Sequence, residues 1–248
     1  MTRYDYLVAL AGNPNTGKST VFNNLTGLRQ HTGNWPGKTV TRAEGGFVYD
    51  KKKFKLVDLP GTYSLLSTST DEEIARDFLL FGKPDVTVVI VDATRVERNL
   101  NLVLQILEIT ERVVVCLNLI DEAKRHNIEI DDRQLSRDLG VPVVPAAARM
   151  KKGMNSLMQY IHGVAIGTYQ CNPYRMQSLT PGVSHVVETL TTQIHEQFPH
   201  LPNPRWIAMR LLEGDQRIID AIRTGELGMV QKYETVQEKM RSYGYENV

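Results

Sequence analysis

Cysteine is scarce, long apolar runs are missing, and neither sign of charge is in excess. Only two of the 248 residues are cysteine, Cys116 and Cys171. They lie far apart without metal-site spacing, which excludes a disulfide-stapled scaffold and suggests a reducing compartment. Cys116 sits inside an apolar run and reads as a buried small hydrophobe. No stretch approaches the ~20 apolar residues of a membrane span; the longest runs, 86–91 and 113–117, have strand length. Secretory-leader features are also missing, because the first five residues lead directly into a strand-like segment. The piece therefore reads as soluble as it stands, whether or not it belongs to a longer protein. Basic residues number 29 and acidic residues 28, a net charge of +1, which excludes nucleic-acid binding through bulk charge. There is no internal repeat and no low-complexity segment.

What is present is enough for a sizeable core: 42% hydrophobic residues over a length that suits one large domain or two small ones. Up to about residue 168, strand and helix signals alternate. Strands are expected at 6–11, 55–57, 86–91, 113–117 and 141–144. Helices are expected at 19–28, around 100–107 and at 154–166. Near-continuous apolar strands suit a mostly parallel sheet covered on both faces, and the alternation predicts a doubly wound α/β fold. The segment 47–54, with Lys51, Lys52 and Lys53, reads as a basic patch or as a solvated hairpin turn between strands. After residue 168 the texture changes. Helices are expected at 183–198, 205–213, 215–224 and 230–243, punctuated by Pro199, Pro202 and Pro204. The division is therefore a 1–168 α/β domain followed by a 169–248 all-helical domain.

Four motifs carry chemistry. Gly12-Asn13-Pro14-Asn15-Thr16-Gly17-Lys18-Ser19 fits G-x-x-x-x-G-K-[ST] between a strand and a helix, the context of a phosphate-binding loop. Its backbone N–H groups and the helix N-terminus point at the anion. Lys18 reaches the β and γ phosphates, Ser19 offers its hydroxyl to Mg2+, and Thr20 follows at the nucleotide side. Asp58-Leu59-Pro60-Gly61 comes about 40 residues later, a carboxylate for Mg2+ and a Gly N–H to sense a γ-phosphate. Asn118-Leu119-Ile120-Asp121 ends an apolar strand. Its Asp accepts two hydrogen bonds from guanine, a donor pair that adenine lacks. Leu119 stands where GTPases commonly have Lys. In the last loop, Ala147-Ala148-Arg149 loosely fits the segment that touches the guanine oxygen through a backbone N–H. Order and spacing together point to GTP and GDP rather than to nucleotides in general.

Gly12-Asn13-Pro14-Asn15, Asn34-Trp35-Pro36-Gly37-Lys38-Thr39-Val40 and Asp58-Leu59-Pro60-Gly61-Thr62-Tyr63-Ser64 resemble the ferrous iron transport protein B family over essentially the whole chain. The resemblance implies a P-loop, Ras-like GTPase domain, then a dissociation-inhibitor-like helical domain. A polytopic membrane domain that moves Fe2+ would follow, outside this chain. It further implies a place at the cytoplasmic face of the bacterial inner membrane. Implied partners are that membrane permease domain, small accessory proteins of the same transport system, and further copies of the chain. Thr39 would be the switch I threonine, its hydroxyl on Mg2+ and its N–H on the γ-phosphate, with switch I spanning roughly 28–41. Lys38 departs from the apolar residue common there. Trp35 reads as a core anchor or a switch element. Asn15 resembles the residue that holds K+ beside the phosphates, against a plain role in turning the loop.

Where Ras-like proteins use Gln to orient water, this chain has Thr62, which predicts slow hydrolysis. Glu72 and Glu73 are candidates to position water or relay the switch. They also fit a helix N-terminal acidic run, with 70–73 matching a capping box. His185, His195 and His200 form no compact ligand pattern and read as surface histidines. Two other readings remain open: a K+-dependent GTPase of translation or tRNA modification, and a nucleotide-sensing module that hardly hydrolyses GTP.

Overall fold

The computed structural model describes residues 4–28, 30–35, 38–66, 69–173, 181–199, 201 and 203–225. The expected helix at 230–243 and most of the expected linker after Cys171 lie outside them.

Among the described residues seven strands form one mixed sheet. They are β1 (Tyr6–Gly12), β2 (Gln30–Asn34), β3 (Thr41–Tyr49), β4 (Lys52–Asp58), β5 (Val86–Asp92), β6 (Val113–Asn118) and β7 (Val143–Pro145), in the order β2-β3-β4-β1-β5-β6-β7. The pairings β1–β4, β1–β5, β5–β6 and β6–β7 are parallel; β2–β3 and β3–β4 are antiparallel. Alternation along β1 sends successive side chains to opposite faces. Val8 and Leu10 pack with the helices α1 (Lys18–Thr26) and α6 (Met154–Ala165). Leu7, Ala9 and Ala11 pack with α2 (Thr70–Phe81) and α3 (Val96–Ile109). Both faces are thus covered, the doubly wound arrangement expected from the near-continuous apolar strands. Two short helices, α4 (Ile120–Arg125) and α5 (Asp132–Leu139), follow β6. The sequence reading passed over both, since their apolar content is low and short polar helices give little periodic signal.

The segment 47–54 is a hairpin whose turn residues Asp50 and Lys51 take φ values of 44° and 63°. Its lysines 51–53 are exposed, as in a solvated turn. Cys116 is fully buried, and burial pushes its thiol up to about 12, so it behaves as an inert core residue. The expected capping box at 70–73 sits one residue earlier. Ser69 is the N-cap, its Oγ accepting the Glu72 N–H at 3.3 Å. The expected loop over 28–41 is partly strand, because residues 30–34 add antiparallel to β3 at the sheet edge.

Three further helices are α7 (Pro181–Gln197), α8 (Pro204–Leu212) and α9 (Gln216–Arg223). They dock on the α2/α3 side through Ile194, Trp206, Ile207 and Ile218, which join the same core cluster. A charge lattice fixes that contact. Arg76 of α2 is fully buried and its Nη1 donates to Asp215 Oδ2 at 2.8 Å. Arg217 of α9 donates in return to Asp77 Oδ2 at 3.0 Å through Nε. The other Asp215 oxygen caps α9, accepting the Arg217 and Ile218 N–H groups. Among the described residues no helix is long and apolar enough to cross a membrane.

Candidate functional site

The four motifs follow β1, β4, β6 and β7, all parallel, so they meet at one edge of the sheet. This is the carboxyl end, where open α/β sheets place their ligands. After β1 the chain turns through Asn15, at φ 66°, and Gly17, at φ 81°. Asn tolerates the left-handed region, and Gly17 needs it without a side chain. A Cβ at Gly17 would also collide with the Asn118 amide. Helix α1 begins at Lys18, so its unpaired N–H groups face the loop.

Asn118 ties the motifs together. It is 1% exposed; its Nδ2 donates to the Thr16 carbonyl at 2.9 Å and its Oδ1 accepts the Ala148 N–H at 3.0 Å. Asn24 Nδ2 of α1 donates to the Ala148 carbonyl at 2.6 Å, and the Ile120 N–H to the Ala146 carbonyl at 3.1 Å. Phosphate loop, base motif and last loop are therefore one hydrogen-bonded unit. Leu119 holds a left-handed backbone, φ 63°, a conformation a Leu adopts at some cost, and so starts α4 with Asp121 in its first turn. The Asp121 carboxylate is 3.4 Å from Arg125 Nη2, whose side chain is largely exposed. Ala147 is buried in a bridge to Lys152, while Arg149 is exposed.

At the phosphate end, Lys18 Nζ donates to the Asp58 carboxylate and, at 2.6 Å, to the Leu59 carbonyl. Burial pushes the Asp58 carboxyl above its ordinary value, and the Lys18 ammonium pulls it back down. A buried carboxylate of this kind is stabilised by a cation, and the nearby donors of the motif set, Asp58 and the Ser19 hydroxyl, are the hard oxygens that Mg2+ prefers. Ser19 and Thr20 are exposed at the start of α1. Asn15 is exposed, and its carboxamide makes no hydrogen bond within the described chain. Pro14 lies against Gly61, where an added Cβ would stand 3.5 Å from the Pro14 backbone.

Not every expected site residue is brought to this edge. Trp35, read as a core anchor or a switch element, is 3% exposed and packs edge-on against Phe78 of α2, ring centroids 5.6 Å apart. It is a core anchor in the middle of switch I, because an indole gains more from burial than from a polar rim. The turn it anchors is closed by Trp35 N–H to the Val40 carbonyl (2.9 Å) and Lys38 N–H to the Trp35 carbonyl (3.0 Å). Thr39 is exposed on that turn and, among the described residues, has no hydrogen bond to Ser19 or Asp58. Asn34 is exposed on β2; Pro36 and Gly37 lie outside the described residues. Glu72 and Glu73 diverge. Glu72 is buried and accepts from Ser64 Oγ at 2.8 Å, whereas Glu73 pairs with Lys38 Nζ at 3.0 Å. The adjacent acids thus engage the segment that follows β4 (58–66, switch II) and switch I respectively. The sequence reading missed Gln105 of α3, whose Oε1 accepts the Leu65 N–H of switch II at 2.6 Å. No motif marks such a residue. His185 and His195 are exposed, and no described group of His, Cys, Asp and Glu has metal-site geometry.

Comparison with known proteins agrees with this layout. The family model for ferrous iron transport protein B matches residues 6–161, and that for the cytosolic helical domain of the same family matches 181–246. The Fe(2+) transporter FeoB of Escherichia coli K12 is 40% identical over 213 residues, 84% of this chain and 27% of that protein. The chain thus spans about a quarter of the curated relatives' length. The cytosolic domain of L. pneumophila FeoB has a TM-score of 0.79 at 31% identity, covering 95% of this chain and 98% of that one. The cytosolic domain of the T. maritima iron transporter, solved in a GDP form, has a TM-score of 0.78 at 35% identity, covering 98% and 92%. Its GMPPNP form has a TM-score of 0.74 at 36% identity, covering 96% and 91%.

Proposed function

The chain belongs to the ferrous iron transport protein B family, and we propose that it is the guanine-nucleotide switch of such a transporter. In this reading it binds GTP, hydrolyses it slowly to GDP and phosphate, and regulates or drives ferrous iron uptake through a membrane part outside this chain. It sits at the cytoplasmic face of the membrane. The membrane part is its principal partner, joined by small accessory proteins, with nucleic acid not among its ligands. The observation that carries the reading is Asn118, whose amide joins the phosphate loop to the last loop and sets Asp121 three residues on to read guanine. The division near residue 168 is supported by α6 ending at Ala165 and by the helices from Pro181 onward.

Lys18 would leave Asp58 for the β and γ phosphates, and the loop N–H groups would hold the phosphate oxygens. Asp58, Ser19 and Thr39 would hold Mg2+, and Asn15 would hold K+. When bound, the two cations neutralise charge developing on the transferred phosphoryl group. Thr62 offers no amide to orient water; its Oγ1 donates to the Ser64 carbonyl at 2.7 Å. Slow turnover follows. The test is GTP turnover in matched KCl and NaCl, with Asn15→Ala alongside. Stimulation by K+ of at least about tenfold, lost in the variant, is expected. Equal slow rates in both salts would remove K+ and leave a nucleotide-sensing module that needs an external activator.

In this reading the segment carrying Thr39 closes on a γ-phosphate, and Lys38 beside it is held to Glu73 of α2. Both side chains are about one-third exposed, 37% and 34%, so the pair contributes less than about 1 kcal/mol. Lys38→Val is expected to speed closure on a fluorescent GTP analogue about two- to fivefold at low ionic strength. It should also abolish the salt dependence of that step. Stopped-flow traces that match wild type at every salt concentration would show that the pair has no influence on switch I.

A further inference from the structure

A buried side chain beside the phosphate loop has no partner. Asn13 is 3% exposed, and neither its Nδ2 nor its Oδ1 makes a hydrogen bond among the described residues. The three other buried asparagines among the described residues use both ends of their amides, Asn203 through the Glu108 carbonyl and the Trp206 N–H. Asn118 bonds the Thr16 carbonyl and the Ala148 N–H; Asn99 bonds the Asp92 N–H and the Arg95 carbonyl. An unpaired buried amide is unfavourable, and an apolar residue of similar size would avoid that cost. An asparagine here points to a partner that arrives in another state of the protein.

Its position identifies the partner. Asn13 comes next in the odd-numbered series Leu7, Ala9 and Ala11, which packs with Leu59, Leu65, Ile74 and Phe78 on the α2 side. The start of switch II runs alongside. The Leu59 N–H donates to the Leu10 carbonyl at 2.9 Å and the Thr62 N–H to the Gly12 carbonyl at 3.3 Å. These bonds lengthen toward Thr62, and Asn13 is the next residue beyond the last of them.

We propose that Asn13 is a positioning residue for switch II, its carboxamide receiving the Gly61–Thr62 segment when that segment closes on a γ-phosphate. This rests on the guanine-nucleotide reading above. As Gly61 turns its N–H toward the phosphate, the Thr62 N–H leaves the Gly12 carbonyl. Asn13 Oδ1 accepts that N–H, and Nδ2 donates to a carbonyl of the same segment. The amide is satisfied only in the closed state and so favours it over the open one. Asn13 touches no reacting atom; it acts through the Gly61 N–H.

The test compares the wild-type chain with Asn13→Ala and Asn13→Ser, in thermal unfolding with Mg2+ and either GDP or GMPPNP, and in GTP turnover. A wild type stabilised by neither nucleotide overturns the guanine-nucleotide reading and this proposal together; the remaining outcomes concern Asn13 alone. In Asn13→Ala the melting temperature with GDP is expected to equal or exceed wild type, while the extra stabilisation by GMPPNP shrinks. The value of kcat should fall about tenfold, the effect of a net gain of one hydrogen bond in the closed state, since the Thr62 N–H exchanges the Gly12 carbonyl for Asn13 Oδ1, with KM for GTP within about twofold. Asn13→Ser should lie between the two. Equal losses of stability with both nucleotides would mean that the amide holds the loop in every state, through an ordered water for instance, and would overturn the proposal. So would an unchanged kcat. Failure of both variants to fold would overturn it as well, since a side chain unpaired in this state cannot be what holds it together.

Discussion

Asp121→Asn is expected to reverse the base preference of the site. The carboxylate can accept two hydrogen bonds from guanine, and an amide can offer only one acceptor oxygen while presenting donors to the other group. Two charge-assisted bonds at roughly 1.5–3 kcal/mol each make the expected loss of GDP affinity on the order of 10²–10⁴-fold. Xanthine nucleotide, which carries an oxygen where guanine carries the amine, should gain. The fold should tolerate the change. Asp121 sits in the first turn of α4 and its ion-pair partner Arg125 is 71% exposed. The substitution therefore loses only a surface pair and a favourable helix-dipole contact, together about 1 kcal/mol. Isothermal titration with GDP and with xanthosine diphosphate checks it. Undiminished GDP affinity would show that Asp121 does not read the base.

The second large effect is expected at Arg76, where removal of the guanidinium leaves Asp215 without its buried partner. Arg76 is fully buried and the Asp215 side chain is 16% exposed, so solvent screens the pair little. Breaking one side of such a pair costs about 3–5 kcal/mol. Arg76→Met fills most of the volume and isolates the charge. The chain has two tryptophans, Trp35 in switch I and Trp206 in α8, so each side of the interface carries its own fluorophore. In urea the variant should lose the Trp206 signal well before the Trp35 signal, where wild type unfolds both together. The double variant Arg76→Met/Asp215→Asn should recover part of the loss, because Asn keeps the cap of α9 without a buried charge. Coincident transitions at the wild-type midpoint would mean that the lattice does not secure the helical domain.

The two predictions differ in how readable their residues were. Asp121 was legible because N-x-x-D at the end of an apolar strand is a local pattern tied to a ligand. Arg76 was not, because nothing within α2 distinguishes a solvated arginine from one that meets Asp215, 139 residues away. The same contrast runs through the switches. The Asn-Trp-Pro-Gly segment marked the family, yet the choice between the two readings of Trp35, core anchor or switch element, was decided only once Phe78 was beside it. The acids at 72 and 73 were visible as a run, but not that one would hold Ser64 and the other Lys38. Residues 30–34 carry little strand signal, Gln-His-Thr-Gly-Asn, and pair with β3 because the open sheet edge offers unpaired backbone groups.

The sequence by itself determined the doubly wound sheet, the phosphate loop, the Asp58 and Asn118–Asp121 motifs and the helical character of the tail. Each of these rests on periodicity or on short spacing within one segment. Tertiary structure alone decided the amide links that join three motifs into one unit, the burial of Trp35 against Phe78, the charged contact between α2 and α9, and the unpaired amide of Asn13. Those features depend on atoms brought within hydrogen-bond distance from segments far apart in the chain. Their energies come from burial and from partners, and neither quantity exists until the chain has folded.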